Sequence, residues 1–121
     1  MRATLIIAGF CILFYVVYKT YSIANISKGL KQKIASGAVI LDVRTEIEFK
    51  QGHIEGAVNI PLSCLHTPVI AFDKDQLIIT CCSHGLRSIK EVDLLKSHGY
   101  YNAYNGGAWS DLEKVINEVR K

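Results

Sequence analysis

LIITCCSHGLRS, residues 77–88, combines a strand, a thiol pair and a glycine loop in one short stretch. Residues 77–80 are apolar or β-branched, which is typical of a buried strand. Cys81 and Cys82 follow this run directly, and Gly85 supplies a residue that turns easily. Beyond the loop, apolar residues recur at helical spacing. A buried strand that leads through a short loop into a helix is the repeating unit of an α/β fold with parallel strands.

The same alternation of strand and helix extends on both sides of this stretch. Apolar runs predict strands at 38–41, 57–60, 77–80 and 100–104. Capping residues and apolar periodicity predict a helix from Ser27 to Gly37, helices at 46–50, 88–98 and 111–120, and a turn at Gly106-Gly107. This order indicates an α/β fold whose mostly parallel sheet is flanked by helices on both faces. Ligands bind such sheets outside the carboxyl ends of the strands, where the cysteine pair is expected.

A cysteine at that edge of the sheet has a clear chemical use. Successive loop N–H groups and the positive end of the following helix stabilise a thiolate, so its pKa falls below the free value of about 8.5. The same cradle holds a persulfide or an oxyanion. Arg87 adds a positive charge there or points outward into an ion pair, and Ser88 caps or opens the helix.

The sequence leaves open which of the two cysteines, Cys81 or Cys82, is the reactive thiol. Counted from Cys82, Gly85 stands at +3 and Arg87 at +5, a spacing that suggests sulfur transfer. Counted from Cys81, the pattern is Cys-x5-Arg-Ser, which suggests attack on a phosphate or an arsenate. The predicted strand would include Cys81 as its last residue.

The N-terminus is apolar from Ala3 to Tyr18, between Arg2 and Lys19. This run spans about 24 Å as a helix, and it crosses a bilayer if Lys19 snorkels and the helix continues to Ala24. We expect residues 1–24 to form a single-pass anchor through residues 3–24, or a signal peptide cleaved near Ala24. The alternative of a buried globular helix stays open.

The flanking charges predict an orientation. Lys19, Lys28, Lys31 and Lys33 follow the apolar run, and no acidic residue appears before Asp42. The positive-inside rule therefore favours a domain that faces the cytoplasm, with the alternative of a periplasmic or secreted domain after cleavage. The same lysines would be attracted to anionic lipid, or they form a solvated helix face.

Charge and cysteine count exclude several classes of protein. The net charge of +3 is mild, and no basic cluster interleaved with aromatics indicates a nucleic-acid partner. Besides Cys11 in the apolar run, the remaining cysteines are odd in number, which disfavours a disulfide framework. No Cys/His spacing predicts a metal site. Cys64 is expected to be a small packing residue.

Three blocks of the chain match the pattern of one known family. LDVRTEIEFKQGHIEGAVNIPL (residues 41–62), CSHGLRS (82–88) and LLKSHGYYNAYNGGAW (94–109) occur in the family's order. From about residue 25 to its end, the chain resembles a single rhodanese domain. The resemblance implies a domain at 25–121 that acts as a sulfurtransferase without a cofactor or metal. Its expected partners are a thiosulfate-like donor and a cyanide, thiol or protein acceptor.

The resemblance also implies roles for single residues. Cys82 becomes the nucleophile that carries a persulfide, and Arg87 lines its site. Asp42, Arg44 and His53 fall in blocks that support the fold. The loop that holds the persulfide is Ser83, His84, Gly85, Leu86 and Ser88, where His84 either steers an anionic donor or faces solvent.

Two positions depart from the family pattern. Cys81 stands where the family usually has a tyrosine, which makes it a possible secondary thiol that forms a vicinal disulfide with Cys82. Trp109 follows Gly107 at +2 rather than +4, so no role is carried over to it. Two alternatives remain: a phosphatase or arsenate reductase that uses Cys81, and a membrane-tethered sulfur carrier with little turnover.

Overall fold

The computed structural model of the chain describes residues 1–64 and 72–121, without the side chains of residues 23–28 and Leu62. Four strands alternate with helices in this part of the chain, as the sequence predicts. In chain order the elements are α1 (Arg2–Ala35), β1 (Val39–Asp42), α2 (Glu46–Gln51), β2 (Val58–Asn59), a 3-10 turn (Leu62–Cys64), β3 (Ile78–Cys82), α3 (Leu86–Ser97), β4 (Ala103–Ala108) and α4 (Trp109–Val119).

The four strands form one parallel sheet in the order β2-β1-β3-β4. The register pairs Leu41 of β1 with Val58 and with Thr80, and Thr80 with Asn105 of β4. An irregularity between Thr80 and Cys82 places Cys82 opposite Ala108. The predicted parallel sheet is confirmed, and its carboxyl edge brings the ends of β1, β3 and β4 together.

Helices cover both faces of the sheet, as predicted. Successive side chains of a strand point to opposite faces, so Ile78 and Ile79 lie on different sides. Ile78 belongs to a buried cluster with Leu95 of α3. On the other side, the backbone of Gly106 approaches both Ile79 and Leu112 of α4. These two small cores hold β3 between α3 and α4.

The double glycine is part of a strand and not of the predicted turn. Gly106 and Gly107 both lie in β4. A Cβ atom added at Gly106 would come within 2.7 Å of Ile79 Cγ2, 2.8 Å of Leu112 Cδ2 and 2.8 Å of the Thr80 carbonyl oxygen. Glycine therefore serves here for close approach of the backbone, which is its other use in strands besides turning.

The predicted helix start at Ser27 is wrong, because α1 continues without a break from Arg2 to Ala35. The reason is that residues 10–28 hold no glycine or proline, so nothing ends the helix before Ser27. The predicted end is confirmed, since Gly37 has a φ of +91° just beyond the last helical residue.

The chain divides into two compact units, Met1–Leu30 and Lys31–Lys121. In the first unit, the helical segment Arg2–Ser22 is long and apolar enough to cross a membrane, and none of its side chains is buried. The domain boundary at residue 24 stays a prediction.

Two of the lysines expected to meet lipid or solvent have partners inside the second unit. Lys31 Nζ lies 2.6 Å from Glu118 Oε2, and Lys33 Nζ lies 4.3 Å from the centre of the Tyr104 ring. The side chain of Lys28 lies outside the described residues. Their positive charges are therefore at least partly compensated within the fold, which weakens the expected attraction to anionic lipid.

Candidate active site

The cysteine loop connects the end of β3 to the start of α3. Cys82 is the last residue of β3, and α3 begins at Leu86. Gly85 precedes α3 with a φ of +90°, a conformation that side-chain-bearing residues rarely adopt. This conformation lets the Gly85 N–H donate a hydrogen bond to Cys82 Sγ over 2.8 Å. The loop thus turns its backbone inward around the sulfur, as the sequence predicts.

Ser88 completes the surroundings of this sulfur. Its Oγ lies 3.4 Å from Cys82 Sγ, 2.9 Å from the Gly85 carbonyl oxygen and 2.6 Å from Asn105 Oδ1. Asn105 Oδ1 also accepts the Gly107 N–H over 2.9 Å. Ser88 therefore ties the thiol to both α3 and β4, which fixes the sulfur between the two elements.

The pKa of the Cys82 thiol is lowered. Burial opposes ionisation, since the residue is only 1% exposed, but hydrogen bonds outweigh it. They come from the Ser88 side chain and from the backbone N–H groups of Ser88, His84 and Gly85. Each of these donors is satisfied better by a thiolate than by a thiol. The geometry favours an anionic sulfur at Cys82.

Cys81 has the opposite environment. Since consecutive strand residues face opposite sides, its thiol points away from the loop amides. Burial raises the pKa of Cys81 to about 12, and the nearby Asp42 carboxylate adds to this shift. A thiol that stays protonated is a poor nucleophile. The geometry therefore disfavours both a Cys81-centred reaction and a vicinal disulfide with Cys82.

Arg87 forms an ion pair with Glu48 instead of standing alone at the site. Its Nη1 and Nη2 donate to the two Glu48 oxygens over 2.8 and 2.9 Å. Ser83 Oγ joins the cluster, 2.9 Å from Glu48 Oε2 and 3.0 Å from Arg87 Nη2. These bonds, first those from Arg87 and then that from Ser83, hold the pKa of Glu48 well below its usual range. The carboxylate is thus ionised and bridges α2 to the cysteine loop.

Local sequence positions Glu48 for this contact. Thr45 caps α2: its hydroxyl accepts the Glu48 N–H, and the Glu48 carboxylate accepts the Thr45 N–H. This reciprocal capping box fixes the side chain of the third helical residue. The Thr-x-x-Glu pattern at residues 45–48 is visible in the sequence, but its partner Arg87 is not.

Asp42 and Arg44 stabilise the edge of the sheet below the loop. Arg44 Nε and Nη2 donate to the Asp42 carboxylate over 2.8–3.1 Å, and Nη2 also donates to the Gly52 carbonyl oxygen over 2.7 Å. The Arg44 guanidinium lies 4.8 Å from the Trp109 ring centre. Both charges are buried and paired, in agreement with the structural role expected for them. Trp109, which the sequence left without a role, covers this pair.

His53 is likewise held by its own segment. Its Nδ1 lies 2.7 Å from the Phe49 carbonyl oxygen, and its ring stacks on the Phe49 ring at 3.7 Å. His84 and Leu86 of the loop are exposed.

Cys64, expected to be a packed apolar residue, is exposed at the end of the 3-10 turn. The reason is that this turn follows β2, which lies at the edge of the sheet.

A cavity of about 320 Å³ flanks the cysteine loop. Its walls come from the loop, α2 and the start of α4. The lining residues are Arg44, Glu48, Gln51, Gly52, Ser83 and Trp109. Solvent therefore reaches the surroundings of Ser83, the residue next to Cys82.

Three residues near the site were not singled out from the sequence. Glu48 pairs with Arg87, and Asn105 contacts Ser88. The third is Glu91, which lies one turn beyond Ser88 on α3; it is fully buried, and neither carboxyl oxygen has a hydrogen-bond partner in the described part of the chain. Burial raises the pKa of Glu91 to about 8. An acidic residue in a helix is usually exposed, so no local pattern identifies its burial.

Comparison with known proteins identifies one family for most of the chain. A family model for the rhodanese-like domain matches residues 27–110. The thiosulfate sulfurtransferase PspE of Escherichia coli (strain K12) is 30% identical over 74 residues, which cover 60% of this chain and 71% of that protein. A human single-domain sulfurtransferase, TSTD1, superposes with a TM-score of 0.63 at 28% identity, over 72% of this chain and 91% of the human chain.

A larger relative contains the same unit. The tRNA sulfurtransferase of Thermoplasma acidophilum is 30% identical over 89 residues, or 74% of this chain. The chain spans only 18% of that protein. The similarity is therefore limited to a small part of that protein.

Proposed function

This chain belongs to the rhodanese-like domain family, and we propose that it is a sulfurtransferase that carries sulfur as a persulfide on Cys82. Its sulfurtransferase relatives support transferase activity at the level of the family. The observation that carries the assignment to Cys82 is the 2.8 Å hydrogen bond from the Gly85 N–H to its sulfur, together with the lowered pKa of that thiol.

The first half of the reaction loads Cys82. Its thiolate attacks the outer sulfur of thiosulfate, a new S–S bond forms, and the S–S bond of thiosulfate breaks with release of sulfite. The product is the Cys82–S–S⁻ persulfide, so charge is conserved. Oriented backbone N–H groups of His84, Gly85 and Ser88 stabilise negative sulfur at the start and at the end of this step.

The second half unloads the sulfur to a thiophilic acceptor. Cyanide, a small thiol or a protein thiol attacks the terminal sulfur, and Cys82 leaves as the thiolate that the loop stabilises. A lowered pKa makes Cys82 a better leaving group, which favours this step as well. Two separate steps on one nucleophile give ping-pong kinetics, and the loop supplies the charge stabilisation without a metal or organic cofactor.

We also propose that the N-terminal helix anchors the domain to a membrane. The apolar segment Arg2–Ser22 supports an anchor, although a signal sequence has the same length and composition. The lysines after the segment favour a cytoplasmic domain by the positive-inside rule. A periplasmic or secreted domain is the alternative if cleavage occurs near Ala24.

Mass spectrometry tests the proposed function directly. The full chain in detergent is incubated with thiosulfate, digested, and analysed for peptides that gain one sulfur atom. We expect the added sulfur on Cys82, no loading in Cys82→Ser, and loading retained in Cys81→Ala.

Addition at Cys81 would overturn the assignment to Cys82, and absence of sulfur on both cysteines would favour the phosphatase or arsenate reductase alternative. Loading of Cys82 without turnover by any small acceptor would indicate a sulfur carrier rather than an enzyme.

A further inference from the structure

Glu91 of α3 is a buried carboxyl group that the proposed reaction does not use. Its side chain is fully buried, and neither oxygen has a hydrogen-bond partner within the described residues 1–64 and 72–121. Buried polar groups are nearly always paired, so an exception of this kind indicates either strain or function. An ionised carboxylate is far more costly in such a place than a neutral carboxylic acid. The fold therefore accommodates Glu91 in its protonated form.

The titratable and charged groups around α3 do not compensate a charge on Glu91. The helix packs against β3 and β4, and Tyr100 is buried in one cluster with Leu95 of the helix. The titratable side chains of the two strands are Cys81, Cys82 and Tyr104. The other charged side chains of α3 are Arg87, Lys90, Asp93 and Lys96. Arg87 is bonded to Glu48, and the other three are exposed. Burial is the only cause that raises the pKa of Glu91 to about 8, so none of these groups offsets it.

Glu91 and Ser88 lie one turn apart on the buried face of the same helix. Ser88 Oγ makes three contacts: 3.4 Å to Cys82 Sγ, 2.9 Å to the Gly85 carbonyl oxygen and 2.6 Å to Asn105 Oδ1. Hydrogen bonds weaken steeply when the distance or the angle between the groups changes. A shift of α3 that brings the Glu91 carboxylate toward water therefore disturbs the contacts of Ser88, because both residues move with one helix.

We propose that Glu91 is a positioning residue for the cysteine loop: only its protonated form holds Ser88 against Cys82, and its ionisation releases the loop and slows sulfur loading. This inference rests on the proposed persulfide chemistry of Cys82. Ionisation of the Cys82 thiol favours loading as the pH rises, whereas ionisation of Glu91 opposes loading above about pH 8. The domain thus has an upper pH limit that is set by a residue outside the cysteine loop.

The pH profile of Cys82 loading tests this role in the full chain in detergent. Rate constants with thiosulfate are determined by mass spectrometry for the wild type and for Glu91→Gln, which keeps the side-chain shape without its titration. We expect the ratio of the wild-type constant to the variant constant to fall about tenfold between pH 7 and 9, since Glu91 loses most of its protons over this range. Asp93→Asn, which removes an exposed acid from the same helix, is the control and should keep the wild-type profile.

Alkylation of Cys82 by iodoacetamide gives a second readout, which requires no sulfur transfer. Cys82 is only 1% exposed, so release of the loop should raise its alkylation in the wild type relative to Glu91→Gln between pH 7 and 9. Glu91→Met serves as the reference in both measurements if the unpaired amide of Glu91→Gln prevents folding, because methionine leaves no polar atom without a partner.

A loading ratio that does not change with pH would leave Glu91 a structural residue only and would overturn the inference. An alkylation ratio that stays constant or falls between pH 7 and 9 would overturn it as well. Absence of sulfur on Cys82 in the wild type at every pH would overturn the proposed function itself. In that case the alkylation ratio would still decide whether Glu91 positions the loop.

Discussion

At the scale of single residues, Cys81 and Cys82 have the same side chain and very different acidity. The strand turns their thiols to opposite faces of the sheet. Cys82 receives N–H groups from the loop, whereas Cys81 lies among buried groups near a carboxylate. The local environment in the protein, and not the residue type, therefore determines which thiol ionises more readily.

The variant Ser88→Ala tests how much the Ser88 hydroxyl contributes to the electrostatic environment of the Cys82 thiol. The Ser88 side chain is one of the groups that lower the pKa of Cys82, so this pKa should rise in its absence. We expect about tenfold slower loading with thiosulfate at pH 7, because less of Cys82 is then thiolate, and convergence with the wild type at high pH. The measurement is the pH profile of the loading rate.

Ser97→Ala provides the control, because its hydroxyl bonds only within the other end of α3. A reduction in Ser88→Ala that is the same at every pH would contradict the electrostatic role of Ser88.

At the scale of elements, α4 packs closely on the sheet because β4 carries glycine at its tightest point. Alanine at Gly106 would bring a Cβ atom within 2.8 Å of side chains and backbone. We expect Gly106→Ala to lower the free energy of unfolding by about 2 kcal/mol, the usual cost of overpacking. Urea denaturation of the full chain in detergent measures this change.

Gly52→Ala is the matched comparison. Its added Cβ meets only the Trp109 ring at 3.5 Å, an ordinary contact. We expect its free energy of unfolding to change by less than about 1 kcal/mol. Equal losses in the two variants would show that close approach at Gly106 is not the cause.

The buried face of α3 contains a group that costs stability. The pKa of Glu91 is about 8 in the folded chain against 4.5 for a free side chain, because burial disfavours its charged form. The folded state therefore binds the proton more tightly, and its contribution to stability is full below pH 4.5 and is lost as pH rises through about 8. Between pH 5 and 7.5 this amounts to a loss on the order of 3 kcal/mol.

Glu91→Met removes the titrating group and keeps an unbranched side chain. We expect the variant to be more stable than the wild type at pH 7.5 and to lose most of the pH dependence, since an apolar side chain leaves no unpaired oxygens. Urea denaturation at pH 5 and 7.5 measures both effects. Glu55→Met, at an exposed position, should retain the wild-type pH dependence. A flat profile in the wild type would contradict the raised pKa of Glu91.

At the scale of the whole molecule, the apolar helix predicts where the chain resides in the cell. We expect the full chain to remain in the membrane fraction after an alkaline wash, and its intact mass to include residues 1–24. Lysine at Ile12 and Leu13 should release it, since each costs about 3 kcal/mol at the centre of a membrane helix.

Ile47→Lys, which replaces an exposed apolar residue of the domain, is the control and should stay with the membranes. A mature protein that begins at Asn25 would identify the segment as a signal peptide instead.

The order of strands and helices, the parallel sheet and the position of the thiol pair at its carboxyl edge were all predictable from the chain. Hydrophobic runs of strand length, helix periodicity and capping residues depend on neighbours in sequence. For the same reason the loop at Ser83–Ser88 and its resemblance to a rhodanese could be recognised from the sequence alone.

The pairings across the fold were not predictable in this way. The contact of Arg87 with Glu48, the close approach at Gly106 and the burial of Glu91 join positions from different elements. The sequence leaves open whether Arg87 adds a positive charge to the loop or forms an ion pair, and its partner Glu48 lies on a helix more than thirty residues earlier in the chain. Which charges survive at the site depends on long-range packing, because a charge is neutralised by whatever group the fold brings within a few ångströms of it.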